Sequence, residues 1–120
     1  MNTKNDMANR IVELADNVML GLEHVCKQLQ NGEGDHTYNL MVDILEGYMS
    51  MENALSLVME TGDPQMESLS KSLRASFSEI VQYYEKKDEL GALNELSNRV
   101  LPSYRNWLEY VNNHLKIDIV

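Results

Sequence analysis

The chain has 120 residues, enough for one domain, and carries 10 basic and 19 acidic side chains for a net charge of −9. That balance repels a phosphate backbone and an anionic lipid surface, so nucleic acid and membrane are excluded as expected partners. The single cysteine, Cys26, excludes an internal disulfide and fits a reducing compartment, which predicts a cytoplasmic protein.

The opening stretch, MNTKNDMANR, is polar and lacks the apolar core of a secretory signal. Residues 1–5 read as a flexible tail ahead of a single helical domain. A first amphipathic helix is predicted from about Asp6 to Gln30, with Met7, Ile11, Leu14, Ala15, Val18, Leu22, Val25 and Leu29 on one stripe. Leu20 points away from that stripe, and Cys26 sits at its edge, where a thiol is more often structural than nucleophilic. The turn Asn31-Gly32-Glu33-Gly34-Asp35 follows.

The second helix is predicted from about Thr37 to Glu60, with Met41, Ile44, Leu45, Tyr48, Leu55, Val58 and Met59 facing inward. It has four methionines and no Lys or Arg. Met49 and Met51 flank its apolar stripe, and methionine is a pliable surface for varied partner helices. Glu52 falls within the apolar arc, so it must find a tyrosine hydroxyl or an arginine, snorkel out, or serve as a polar contact in a partner groove. Leu57, like Leu20, points to solvent. Met49, Met51, Glu52, Leu20 and Leu57 are therefore the candidate partner-binding residues. The charge is skewed the same way: residues 1–60 carry 3 basic and 10 acidic side chains, against 7 and 9 in residues 61–120.

A turn at Thr61-Gly62-Asp63-Pro64 leads into a third helix, with Asp63 as its cap, Pro64 at its first position, and Met66, Leu69, Leu73, Phe77, Ile80, Val81 and Tyr84 on its stripe. The fourth starts near Asp88 and keeps Leu93, Leu96, Val100, Tyr104, Trp107, Leu108, Val111 and Leu115 on one side. Pro102 lies opposite them, so it predicts a solvent-side kink in one long helix rather than a break. The tail 116–120, KIDIV, alternates but is too short for a sheet. Short turns between helices predict an all-α, antiparallel up-down four-helix bundle, its last helix kinked at Pro102.

No catalytic or metal motif accompanies this pattern. His24, His36 and His114 are scattered, the one Glu-x-x-His (Glu33 to His36) lies in a glycine turn, and Arg105 and His114 are too far apart for a HEPN-type ribonuclease motif. We expect neither enzyme nor cofactor. Residues 69–111, LSKSLRASFSEIVQYYEKKDELGALNELSNRVLPSYRNWLEYV, place Leu73, Tyr83 and Tyr84 before Asp88, and then Leu93, Leu96, Val100 and Trp107. This half resembles the last part of the flagellin-specific export chaperone family. The resemblance implies a small acidic bacterial bundle that shields an aggregation-prone segment of an exported subunit. The alternative is a homodimer closed by the same apolar residues, serving a structural or regulatory role.

Overall fold

A computed structural model describes residues 3–58 and 63–115, with side chains from residue 6 onward. Met1, Asn2, Met59, Glu60, the Thr61-Gly62 turn and the expected KIDIV tail lie outside the described residues, whereas residues 3–5, expected as part of a flexible tail, form the first turn of a helix that starts ahead of Asp6. Helix α1 spans Thr3–Gln30, a single 3-10 turn spans Gly34–His36, α2 spans Tyr38–Val58 and α3 spans Pro64–Glu85. The fourth rod is composite: α4, Glu89–Glu95, runs into a π turn, Leu96–Val100, and on into α5, Leu101–Leu115. The described residues form an all-α bundle without strands.

The helix starts follow local chemistry. The Asp63 carboxylate accepts the N–H groups of Gln65 and Met66 at 3.0 and 3.1 Å, and Pro64 fills a position whose N–H would have no helical partner. Asp88 accepts the N–H of Gly91 at 2.8 Å and so caps α4. Gly32, at φ 77°, ends α1 in the left-handed region, where a side chain would be strained.

The buried positions keep a seven-residue rhythm. On α1 they are Ala8, Ile11, Ala15, Val18, Leu22, Val25 and Leu29, with Cys26 buried beside Val25; on α2 they are Met41, Ile44, Tyr48, Met51, Leu55 and Val58. Alternating steps of three and four residues mark the seam of helices packed at a shallow angle. Two expectations fail on this rhythm. Met51 is 1 % exposed, a core residue and not a flank of the stripe. Leu14 lies at the exposed edge of α1, because Ala15 takes the seam.

Partner numbers rise on one helix as they fall on its neighbour. Gly21 and Val18 meet Ile44 and Gly47; Tyr48 and Glu52 meet Phe77 and Arg74; Ser70 and Ser76 meet Trp107 and Glu95. Ala15 and Cys26 likewise meet Tyr104 and Ser97. Four aromatic rings fill the middle: Tyr48 lies 5.2 Å from both Phe77 and Trp107, and Trp107 stacks on Tyr104 at 5.3 Å. Their polar ends are satisfied. Tyr104 donates to the carbonyl of Ala15 at 2.7 Å, and Trp107 donates to Ser70 at 3.3 Å.

The irregularity in the last rod precedes the proline. Ala92, Leu96, Val100 and Tyr104 are all fully buried. Three successive steps of four use 12 residues for three turns, where an α-helix uses about 11. The π turn takes in the extra residue, with the Leu101 N–H reaching back to the carbonyl of Leu96. The expected stripe thus slips by one residue, and Leu93 and Leu108 are only partly buried. Pro102 is exposed, as expected, directly after the widened turn. The opening relieves the crowding that its ring would impose on the preceding turn.

Candidate functional site

Helix α2 packs closely along α1 but loosely along α3, and the α2–α3 seam is open at its surface. A cleft of about 380 Å³ lies there, with Tyr48 and Phe77 at its base, Leu45, Met49 and Val81 on its walls, and Glu52 with Arg74 at one end. Met49 is 60 % exposed over this cleft. Its neighbour two residues on, Met51, faces the core instead, since one step of two residues carries a side chain round to the other side of a helix.

Glu52 is 17 % exposed and doubly held. One carboxylate oxygen accepts the Tyr48 hydroxyl at 2.8 Å, and the other meets the Arg74 guanidinium at 3.2 Å. A tyrosine and an arginine together satisfy it, so the acid in the apolar arc is a paired group on the groove's edge. Burial, and next the hydrogen bond to Glu52, push the Tyr48 phenol well above the ordinary tyrosine range. It is a donor at every physiological pH.

Leu20 and Leu57 are 64 % and 71 % exposed. The α1–α2 pairing puts Leu20 level with residue 45 of α2, so Leu57 lies 12 positions further along, about 18 Å at 1.5 Å per residue. Neither lines the α2–α3 cleft, and the two do not join in one patch. Of the five candidate residues, the structure brings Met49 and Glu52 together and leaves Leu20, Leu57 and Met51 elsewhere.

The pattern of apolar residues missed Arg74, Phe77 and Val81 as groove residues, because they come from another helix. It also missed a buried acid. Glu95, 7 % exposed, accepts the Ser76 hydroxyl at 2.7 Å and lies 3.6 Å from Arg99 one turn on. Ser70 and Ser76 lie three residues to either side of the buried Leu73 on α3, and that placement on the apolar face is the signal that two serines in this helix have buried partners.

The groove has apolar walls and one ion pair at its end. Among the described residues, no three His, Cys, Asp or Glu side chains gather as a metal-ligand set, and no helix is long and apolar enough to cross a membrane. From Gln28 to Ser70 the chain has eight acidic residues and no Lys or Arg. Three of these acids, Asp43, Glu46 and Glu52, lie on α2 beside the apolar cleft, and Glu52 is engaged by Arg74 of α3.

A family model described as "Domain of unknown function (DUF8042)" matches residues 6–110, which takes in all four rods and the groove. No curated protein and no solved structure matches the chain.

Proposed function

The chain belongs to the DUF8042 family, and we propose that it is a non-enzymatic protein-binding bundle whose α2–α3 groove receives an amphipathic helix with basic flanks. The observation that carries this reading is Met49, exposed over an apolar cleft on a helix that has no cationic side chain. Flexible thioether and aliphatic walls accept varied apolar side chains. The acidic stretch from residue 28 to 70 favours basic partners and disfavours acidic ones. We place this activity in the cytoplasm of a bacterium, where a lone thiol stays reduced. The likeness of residues 69–111 to export chaperones supports a chaperone-like use, the shielding of a segment of an exported subunit before it assembles.

A photo-crosslinking residue at position 49 tests this, with Glu23 on the far side of α1 as the control position. The expected result is an adduct from position 49 alone. The captured segment should have apolar residues three, four and seven apart and Lys or Arg beside them. Met49→Glu should then weaken binding of that segment by at least about tenfold, since a charge enters the apolar contact, with helicity unchanged. Adducts only to a second copy of the chain would make the groove a homodimer face. Equal labelling from both positions, or none, would remove the groove from the function. Met51 has no place in this test, because a charge there would break the core.

A further inference from the structure

The same seam ends in a second cleft of different chemistry, near the start of α2 and the end of α3. Its volume is about 370 Å³, and Tyr38, Tyr83 and Tyr84 line it, half of the six tyrosines in the chain. Tyr38 and Tyr84 stand as adjoining walls, their centroids 5.9 Å apart and their planes at 71°. Asp35, Asp88 and Glu89 line it too, against one cation, Lys87. Three carboxylates and one ammonium leave the lining at −2.

The walls are fixed by contacts between separate parts of the chain. Glu89, at the start of α4, accepts the N–H of Gly34 in the α1–α2 connection at 3.1 Å. Tyr84 and Thr37 share a hydroxyl hydrogen bond of 2.7 Å, and Thr37 donates to the carbonyl of Gly34 at 2.7 Å. Gly34 and Gly91 complete the fit: a Cβ at the first would overlap the Glu89 carboxylate, and one at the second the Tyr83 ring. The cleft is a set of rings and carboxylates held by three elements, not a chance gap between mobile side chains.

We propose that this cleft binds an organic ammonium cation, with the tyrosine rings as its walls and the carboxylates as its counter-charge. Ring faces attract a cation through their quadrupole, and nearby carboxylates add the longer-range attraction. An anion would meet net negative charge, and a neutral apolar ligand would gain nothing from the carboxylates. Lys87, the one cation of the lining, is the left-handed residue that ends α3 at φ 56°, where the Asp88 N–H bonds the Tyr83 carbonyl at 2.8 Å. The cation has two possible sources, a free small amine or a lysine side chain carried by a docked segment, and both present the same head group.

Choline and Nα-acetyl-lysine amide are the two probes, and 3,3-dimethyl-1-butanol is the uncharged isostere of choline. Each is titrated into the full chain while the tyrosine ring signals are followed by NMR. Saturable shifts at Tyr38, Tyr83 and Tyr84 are expected with at least one cation and not with the alcohol. Preference for choline would indicate a free quaternary ligand, and preference for the lysine derivative a peptide-borne one. Tyr38→Leu, at an exposed position, should weaken the better probe about tenfold, within the range of one cation–ring contact. Tyr84→Phe keeps the ring and should retain binding. Lys87→Gly removes the competing charge, suits the left-handed backbone, and should tighten it. Met49→Glu should change nothing here, so failure of the α2–α3 groove and failure of this cleft are separable. An alcohol response equal to that of choline, or no saturable response to either cation, would overturn the proposal.

Discussion

Asp63 closes the start of α3 with one oxygen and ties down α5 with the other. Besides the two backbone N–H groups, it accepts the Tyr110 hydroxyl at 2.6 Å, and His114 stacks on that tyrosine at 4.1 Å. The Tyr110 bond first, and then the backbone donors, hold the Asp63 carboxyl below its ordinary range. All of these donors favour the ionised form. Folded Asp63 thus loses its proton more readily than in the unfolded chain. Its stabilising effect is present above the unfolded carboxylate pKa, near 3.9, and is lost as pH falls through the lower folded value. Tyr110→Phe should move the Asp63 pKa upward but not all the way, because the Gln65 and Met66 N–H groups remain. Carbon-detected NMR of the Asp63 carboxyl reads this directly, and an unmoved midpoint would mean the phenol bond is not formed in solution. Asp63 was legible as a cap because capping is local: the residue, the proline after it and the stripe beyond are contiguous. Tyr110 was not, since nothing in the sequence spacing relates residues 63 and 110. The same limit governs the groove. Glu52 could be read as an acid needing a tyrosine or an arginine, and Tyr48 is one turn away on the same helix. That Arg74 is the arginine depends on how α3 packs. Met51 was misplaced for a subtler reason: an ideal turn angle drifts about 20° per heptad from the straight seam, enough over α2 to put a core methionine on the flank.

At the scale of elements, the last rod holds two opposing demands. Tyr104, Trp107, Val111 and Leu115 must face the core below the π turn, and Ala92 and Leu96 must face it above. The two sets are one residue out of step for a regular helix, and the π turn absorbs the difference. Its cause is therefore core registry, with Pro102 placed where the widened turn tolerates it. Deletion of Asn98, exposed within the turn, combined with Pro102→Ala, should convert the rod to a continuous α-helix that keeps both sets facing inward. Deletion of Asn106, equally exposed but inside α5, should rotate Trp107, Val111 and Leu115 off the seam. The loss there should exceed about 3 kcal/mol, as for emptying a large core site. Urea unfolding followed by the single tryptophan compares the two. If the first deletion proved as damaging as the second, registry would not be the origin of the turn. Four helical rods, the Asp63 and Asp88 caps and the solvent position of Pro102 are legible from periodicity and turn residues alone. The π turn is not legible in the same way, because Leu93 and Leu108 offer a smoother stripe than the Ala92, Leu96, Val100 and Tyr104 steps that the core uses.

For the molecule as a whole, the distribution of charge matters more than its sum. The bundle measures 47 × 25 × 18 Å, so few surface charges are far from another. Over residues 28–70 eight acids face no Lys or Arg of their own segment, and the pairs found among the described residues, Arg74 with Glu52 and Arg99 with Glu95, engage only two acids in the chain. Like charges within about 10 Å repel each other at low ionic strength, and salt screens that repulsion. Folding gathers the described acids of this stretch, Glu33, Asp35, Asp43, Glu46, Glu52, Asp63 and Glu67, on α2 and its flanks, so the native state carries more of the repulsion than the extended chain. Raising NaCl from about 20 to 300 mM, which shortens the screening length from roughly 20 to 6 Å, should therefore raise the melting temperature. Helix docking in the α2–α3 groove should respond in the opposite sense, since the acids that destabilise the free bundle are those that draw in a basic segment. The two slopes separate the readings of the acidic face. A melting temperature that rises with salt while the affinity of a captured segment falls would tie the negative charge to recognition. Rising stability with salt-independent affinity would leave the acids as a surface charge that keeps the bundle soluble, and the groove would then select its partner by apolar shape alone.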